Sequence, residues 1–139
     1  MKILILNGPN LNLLGKREPE IYGSETLEDI AKSLKAKFPD IDFQWEQSNS
    51  EGRLIDILQT SEAAGVVFNP GAFTHYSYAL YDCIKAVEYK YPVVEVHISN
   101  INRREEFRRK SVIAPACAGI ISGLGTKGYE LAVRWLVEK

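Results

Sequence analysis

The chain has 139 residues, 45% of them hydrophobic and 25% charged, which suits one globular domain and is too short for most two-domain enzymes. Seventeen Lys and Arg against 18 Asp and Glu leave a formal charge of -1, so no net field draws the protein to nucleic acid or to an anionic membrane. We therefore expect a single domain over 1–139, without nucleic-acid or membrane partners, in which any anion site is local.

The N-terminal apolar run turns polar at Asn7, before a signal peptide or a membrane span can form, and no later apolar stretch reaches about 18 residues. Cys83 and Cys117 lie far apart without Cys-x-x-Cys spacing, and the chain has only two histidines. This pattern predicts reduced core thiols, with neither a disulfide framework nor a metal site. We expect the cytoplasm as the compartment.

Five short apolar runs alternate with four stretches of helical period, which is typical of βαβ units around a parallel sheet. The predicted strands cover 3–6, 41–45, 66–68, 93–96 and 120–121, and the helical stripes cover 27–38, 54–58, 76–87 and 129–136. Strict alternation at 41–45 indicates an edge strand, and Thr126 is the candidate N-cap of the last helix. We interpret the stripes as core and predict an α/β class, three-layer flavodoxin-like fold with a five-stranded parallel sheet.

Polar residues collect directly after the predicted strands, where an open parallel sheet places its ligand crevice. These segments are Asn7-Gly8-Pro9-Asn10, Asn69-Pro70-Gly71, His97-Ile98-Ser99-Asn100 and Ser122-Gly123. Turn chemistry explains Asn7 and Asn69 equally well. His97 at a strand tip is placed to meet a substrate, although a structural histidine stays open, and His75 at the start of the third helix fits a capping or surface role better.

The connection from Leu11 to Ser24 is longer than most βα loops, which favours a lid. In a lid, Arg17 and Tyr22 would close over a ligand, and the flanking glycines would supply hinge freedom. A solvated surface loop with a packed tyrosine is the alternative, and loop length alone does not separate the two.

The segment 102–110 contains five cations but also Glu105 and Glu106 at helical pairing distance. We interpret it as an exposed, salt-bridged helix from which one arginine is able to clamp a carboxylate. Nucleic-acid binding is disfavoured because the run is not interleaved with aromatic residues.

The segment 123–128 matches G-x-G-x-x-G after a strand, but the chain lacks the following strand and acidic residue of a dinucleotide fold, so we predict a tight turn. A phospho-receiver domain needs acidic residues at the tips of the first and third strands. This sequence has Asn7 and Asn69 there, which disfavours that class.

Four ordered motifs resemble the type II 3-dehydroquinate dehydratase family over essentially the whole chain. They are 7–15 (NGPNLNLLG), 17–23 (REPEIYG), 69–75 (NPGAFTH) and 97–100 (HISN). The resemblance implies a flavodoxin-like fold, a homododecamer built as a tetramer of trimers, no cofactor and no metal. It implies trans elimination of water from 3-dehydroquinate through an enolate, giving 3-dehydroshikimate.

The resemblance also implies residue roles. Tyr22 would be the base at carbon 2 of the substrate, with Arg17 as the lid arginine, and His97 would be the acid that protonates the departing hydroxyl, oriented by Glu95. Asn10 would hold a water against the enolate oxygen. The implied substrate-binding positions are Asn69, His75, Ile98, Ser99 and Arg108, together with Asp82, which would serve a neighbouring subunit's site.

A tyrosine base requires electrostatic help, because a phenol with the reference pKa of about 10 is ionised in only about one molecule in a thousand at pH 7. A guanidinium within about 4–6 Å stabilises the phenolate, which makes Arg17 the expected helper of Tyr22. A flavodoxin-like flavin or ligand module and a non-catalytic interaction domain remain as alternatives, and so does a role in quinate catabolism instead of aromatic biosynthesis.

Overall fold

Five parallel strands form one sheet, in the order β2-β1-β3-β4-β5, in the computed structural model of residues 1–139. The strands are β1 (Lys2–Asn7), β2 (Asp42–Gln47), β3 (Gly65–Asn69), β4 (Val93–His97) and β5 (Gly119–Ser122). The helices are α1 (Pro19–Tyr22), α2 (Leu27–Lys37), α3 (Glu51–Thr60), α4 (Tyr78–Val87) and α5 (Lys127–Glu138). This strand order is the flavodoxin-like one, which confirms the predicted fold and the edge position of β2.

Two hydrophobic layers cover the sheet, one on each face. Residues of α3 and α4 pack on the face that receives Leu4 and Leu6, and residues of α2 and α5 pack on the face that receives Ile3 and Ile5. Because side chains alternate along a strand, the continuous apolar run of β1 supplies both layers. The sheet is thereby fixed from both sides, and the carboxyl ends of its strands share one edge.

The helix starts follow capping chemistry. Thr26 accepts a hydrogen bond from the Asp29 amide while the Asp29 carboxylate accepts one from the Thr26 amide, which is a complete capping box. Ser77 caps α4 at Leu80, so α4 starts later than predicted and Tyr76 is 59% exposed instead of buried.

Of the two predictions made for the start of α5, one is wrong and one is confirmed. The prediction that Thr126 accepts a backbone hydrogen bond is wrong, since its hydroxyl donates to Glu25 at 2.5 Å and its backbone is already helical. The predicted glycine turn is confirmed, because Gly123 and Gly125 have φ of 91° and 65°.

The segment 102–110 contains no α-helix, so the prediction of an exposed salt-bridged helix is wrong. It forms two 3₁₀ turns, Ile101–Arg103 and Glu106–Arg108. The end of the segment bonds to the 3₁₀ turn Gly71–His75 instead of to itself, through the Lys110 carbonyl and the Val112 amide. Across the fold, none of the helices combines the length and apolar character needed to cross a membrane.

Candidate active site

A cleft of about 100 Å³ lies at the carboxyl ends of β1, β3 and β4, as the strand-tip pattern predicts. Most of the residues singled out in the sequence line it together. They are Asn10, Arg17, Tyr22, Asn69, His75, His97, Ile98, Ser99 and Arg108. Glu95 lies fully buried behind His97. A single crevice therefore collects nearly every candidate from three strand tips and two connecting segments.

The lid segment is folded onto this cleft. Asn10 and Glu18 both have positive φ, 69° and 35°, and Pro19 occupies the first turn of α1. Gly15 and Gly23 also lie at positive φ, which glycine adopts without strain. These turns place Leu11, Arg17 and Tyr22 in the lining of the cleft, while residues such as Lys16 and Glu20 remain exposed.

Two guanidinium groups meet at Tyr22. Its hydroxyl oxygen accepts a hydrogen bond from Arg17 Nη2 at 3.0 Å and another from Arg104 Nη1 at 2.7 Å. The two guanidinium carbons also lie 4.3 and 5.2 Å from the centre of its ring. Hydrogen bonds from cationic donors are the stronger class, and they favour a charged acceptor. The arrangement therefore places two cationic donors on one phenol oxygen.

The cleft also holds an imidazole–carboxylate pair. His97 Nε2 lies 2.5 Å from Glu95 Oε2, and both side chains are nearly inaccessible to solvent. His97 Nδ1 has no hydrogen-bond partner within the protein. Every buried side-chain nitrogen and oxygen does have a partner, so Nδ1 is not buried. Nδ1 must therefore open onto the cleft, where it is able to deliver a proton to a ligand.

His75 is tied to the arginine-bearing segment, not to α4 as the sequence suggested. It ends the 3₁₀ turn Gly71–His75, and its Nδ1 lies 2.8 Å from the Lys110 carbonyl oxygen. Because a carbonyl only accepts, Nδ1 carries the proton, and Nε2 is an acceptor in the neutral ring. Burial lowers the pKa of His75 from its ordinary value, with smaller contributions in the same direction from His97 and Arg108. The ring is thus predominantly neutral at pH 7.

Asn69 is oriented by a buried tyrosine. Its Nδ2 donates to Tyr129 Oη at 3.0 Å, Tyr129 Oη donates to Asn7 Oδ1 at 2.6 Å, and Asn69 Oδ1 accepts from the Gly71 amide at 3.1 Å. Burial raises the pKa of the Tyr129 phenol, so it stays a neutral donor. Asn69 therefore combines a turn hydrogen bond with a place in the lining of the cleft.

The charge of the cleft is positive. Arg17 and Arg108 line it, and Arg104 donates to Tyr22 and Ser99 of its lining. The carboxylates that pair with these arginines, Glu18 and Glu105, are about half exposed, and the buried Glu95 is paired with His97. Arg108 donates to Glu105 at 3.1 Å. Such a site attracts an anionic ligand and holds a carboxylate through planar guanidinium donors.

Asp82 does not belong to this cleft. It lies on the exposed side of α4, away from the cleft of its own chain. No group of three or more His, Cys, Asp or Glu side chains anywhere in the chain is arranged to hold a metal ion.

Sequence reasoning missed three residues of the site. Arg104 was one of five cations in an apparently solvated run. Ser111 lies outside the four motifs, and Thr74 lies within the 69–75 motif but was given no role, yet both hydroxyls contact Glu95. Arg104 and Arg108 are four positions apart, and Glu105 pairs with both. This spacing is the one feature of the local sequence that distinguishes them from the exposed cations of the same segment.

The comparisons with known proteins agree with one another. The family described as Dehydroquinase class II matches residues 1–137. A 3-dehydroquinate dehydratase of Pelodictyon phaeoclathratiforme is 57% identical, with 99% of this chain and 92% of the relative aligned. A 3-dehydroquinate dehydratase of Bacillus pumilus is 58% identical, with 98% and 94% aligned. The crystal structure of a type II dehydroquinase from Butyrivibrio crossotus superposes with a TM-score of 0.95 at 47% identity, covering 99% of this chain and 98% of that one.

Proposed function

Because the chain belongs to the class II dehydroquinase family and is a type II 3-dehydroquinate dehydratase, a hydro-lyase of the shikimate pathway, we propose that Tyr22 and His97 carry out the elimination from two walls of one cleft. The observation that carries the proposal is the pair of guanidinium groups, from Arg17 and Arg104, on the Tyr22 hydroxyl. Neither quinate catabolism nor a flavodoxin-like module without catalysis is favoured by these relatives.

In the first step, the Tyr22 phenolate removes a proton from carbon 2 of 3-dehydroquinate, next to the ketone. The electron pair moves onto the carbonyl oxygen and gives an enolate. The two arginines stabilise the phenolate before the step, and the closed lid excludes water that would weaken them.

Asn10 serves the developing enolate oxygen by holding a water molecule against it. Its backbone N–H donates to Asn49 Oδ1 at 3.0 Å, and the residue lines the cleft. A fixed donor at this position stabilises charge that develops only in the transition state, which is an effective form of catalysis.

In the second step, the enolate collapses, the bond from carbon 1 to its hydroxyl breaks, and His97 supplies the proton that converts the leaving group into water. Glu95 orients the ring so that Nδ1 faces the substrate. Since the acid and the base come from different elements, no single group has to perform both transfers.

We assign the remaining cleft residues to substrate binding. Ser99 and Arg108 face the carboxylate side, while Asn69, His75 and Ile98 contact the hydroxyl-bearing ring. The positive charge of the cleft supports this orientation, because 3-dehydroquinate is an anion.

The chain also fits a larger assembly. We propose that residues 1–139 act as one catalytic domain in the cytoplasm and that twelve copies form a tetramer of trimers, with Asp82 of each copy at a neighbour's site. The position of Asp82 outside its own cleft supports this arrangement. Light scattering on the purified protein tests it, and a monomer that retains full activity would contradict the role of Asp82.

The experiment for the residue roles starts from a simple assay. Addition of the enzyme to 3-dehydroquinate should produce the ultraviolet absorbance of a conjugated enone. Tyr22→Phe should abolish this signal while the affinity for a substrate analogue stays within about tenfold, because the ring still packs in the cleft. Substantial turnover by Tyr22→Phe would remove Tyr22 from the role of base.

A further inference from the structure

Glu95 is a fully buried carboxylate with an unusual set of neighbours. Besides His97, two hydroxyl groups contact it: Thr74 Oγ1 donates to its Oε2, and Ser111 Oγ lies 2.9 Å from both of its oxygens. A buried carboxylate is stable only when donors replace its lost water. Thr74 and Ser111 are the donors that the catalytic description leaves without a role.

The two hydroxyl groups also contact each other, at 2.7 Å between Thr74 Oγ1 and Ser111 Oγ. Each hydroxyl has one proton, so two protons serve four oxygen–oxygen contacts. In every possible arrangement of these two protons, at least one points at the Glu95 carboxylate. The pair therefore acts as a redundant donor, in which either hydroxyl suffices.

This redundancy affects where the proton between Glu95 and His97 lies. When Glu95 is a carboxylate, it accepts the Nε2 proton of His97, and the protonated ring still has its Nδ1 proton to give to the leaving hydroxyl. When Glu95 loses its hydroxyl donors, the proton shared with His97 moves onto the glutamate. The ring is then neutral, and its remaining Nδ1 proton is far less acidic.

We propose that Thr74 and Ser111 are positioning residues for the general acid: together they hold Glu95 ionised and thereby keep His97 protonated for the second step. The proposal rests on the assignment of His97 as the acid. Ser111 directly follows the arginine-bearing segment, and its hydroxyl also accepts from the Ala114 amide at 3.0 Å. The same residue thus fixes the end of that segment and the acid pair.

Other charged and titratable groups face His97 and remain in place in the variants below. They are Glu95 on β4, His75 on the 3₁₀ turn, Arg108 on the adjoining segment, and Arg17 and Tyr22 on the lid. Cys117 lies near Glu95, but burial raises the pKa of its thiol, so it stays neutral. A change in the pH profile of the variants is therefore attributable to the two hydroxyl groups.

The test measures kcat and KM against pH for Thr74→Val, Ser111→Ala and the double variant. We expect each single variant to lose only a few-fold in kcat, because the second hydroxyl still donates. The double variant should lose about a hundredfold, more than the product of the single losses, with KM nearly unchanged. Its alkaline limb should move to higher pH, since a Glu95 without hydroxyl donors holds the proton of the pair more tightly, and the plateau falls because that proton lies on the carboxyl and not on the ring.

Three controls accompany the test. Thr74→Ser combined with Ser111→Thr retains both hydroxyls and should restore the wild-type profile. Ser61→Ala removes a buried hydroxyl that donates to Gln44 at 2.9 Å, and it should lower stability without moving the profile. His97→Asn tests the acid assignment itself, because a variant with normal turnover would overturn the proposed function.

The outcomes distinguish a failure of the positioning role from a failure of the acid assignment. If His97→Asn is inactive while the double variant keeps the wild-type kcat and alkaline limb, the positioning role of the hydroxyl pair is wrong and the acid assignment stands. A double variant that loses activity only in proportion to its stability, at every pH, likewise overturns the positioning role.

Discussion

Arg104 Nη1 donates a hydrogen bond of 2.7 Å to the Tyr22 hydroxyl, which connects two residues 82 positions apart. The Arg104 side chain is only 14% exposed, whereas that of Arg17, the other donor to the same oxygen, is 27% exposed. The better shielded cation lies on the segment after β4, not on the lid. Tyr22 therefore meets its full electrostatic environment only when the lid lies against that segment.

Arg104→Met should lower kcat by about ten- to a hundredfold, since a hydrogen bond to a charged group contributes about 1.5–3 kcal/mol. Methionine keeps most of the aliphatic stem, so the loss reflects the missing guanidinium. Steady-state kinetics measure the effect. Arg103→Met is the matched control, because Arg103 is exposed on the same segment, and it should behave like the wild type. Equal losses in the two variants would contradict the role of Arg104.

Arg17→Ala should lower kcat by about ten- to a hundredfold, because the Tyr22 hydroxyl then keeps only one of its two cationic donors. Arg17→Lys, which keeps the charge but not the fork of donors, should fall between wild type and Arg17→Ala in steady-state kinetics. An unchanged rate in Arg17→Ala would show that Arg17 does not support Tyr22.

The sheet and its crevice were predictable because hydrophobic period and turn chemistry are local properties of the sequence. The runs that became β1 and β3 have no polar interruption and the run of β4 has one, Glu95, and topology alone then brings Asn69 and His97 to one edge. The roles of individual residues came from the family motifs and not from these patterns.

The segment 102–110 shows where local reasoning fails. Its charge spacing fits a helix, but the Lys110 carbonyl bonds to His75 and the Val112 amide bonds to the Thr74 carbonyl, at 2.8 and 2.7 Å. These partners lie more than 30 positions away, so no window of sequence contains them. Arg104 was missed for the same reason: its direction depends on where the segment docks.

His75 should give folding stability a pH dependence of known sign. Burial lowers the pKa of its imidazole below the ordinary 6.5, so the unfolded chain binds this proton more readily than the folded one. The free energy of unfolding should therefore fall as the pH drops from about 6.5 through the lower folded value. His75→Asn keeps a donor for the Lys110 carbonyl but does not titrate, so urea denaturation between pH 7 and 5 should show a shallower slope. Identical slopes would contradict this account of His75.

Tyr129→Phe should change both stability and substrate binding. The lost hydroxyl leaves the buried amides of Asn7 and Asn69 without their shared partner, which costs about 1–3 kcal/mol of unfolding free energy. Asn69 is also released at the cleft, so KM should rise several-fold while kcat changes less. Denaturation in urea and steady-state kinetics measure the two effects.

Tyr91→Phe is the matched control for this substitution. The Tyr91 hydroxyl is also buried, and it donates to the Leu58 carbonyl in the opposite core layer, away from the cleft. Its loss should reduce stability by a similar amount and leave KM unchanged. If Tyr129→Phe and Tyr91→Phe are equally destabilised and have equal KM values, Tyr129 supports the core alone and does not orient Asn69.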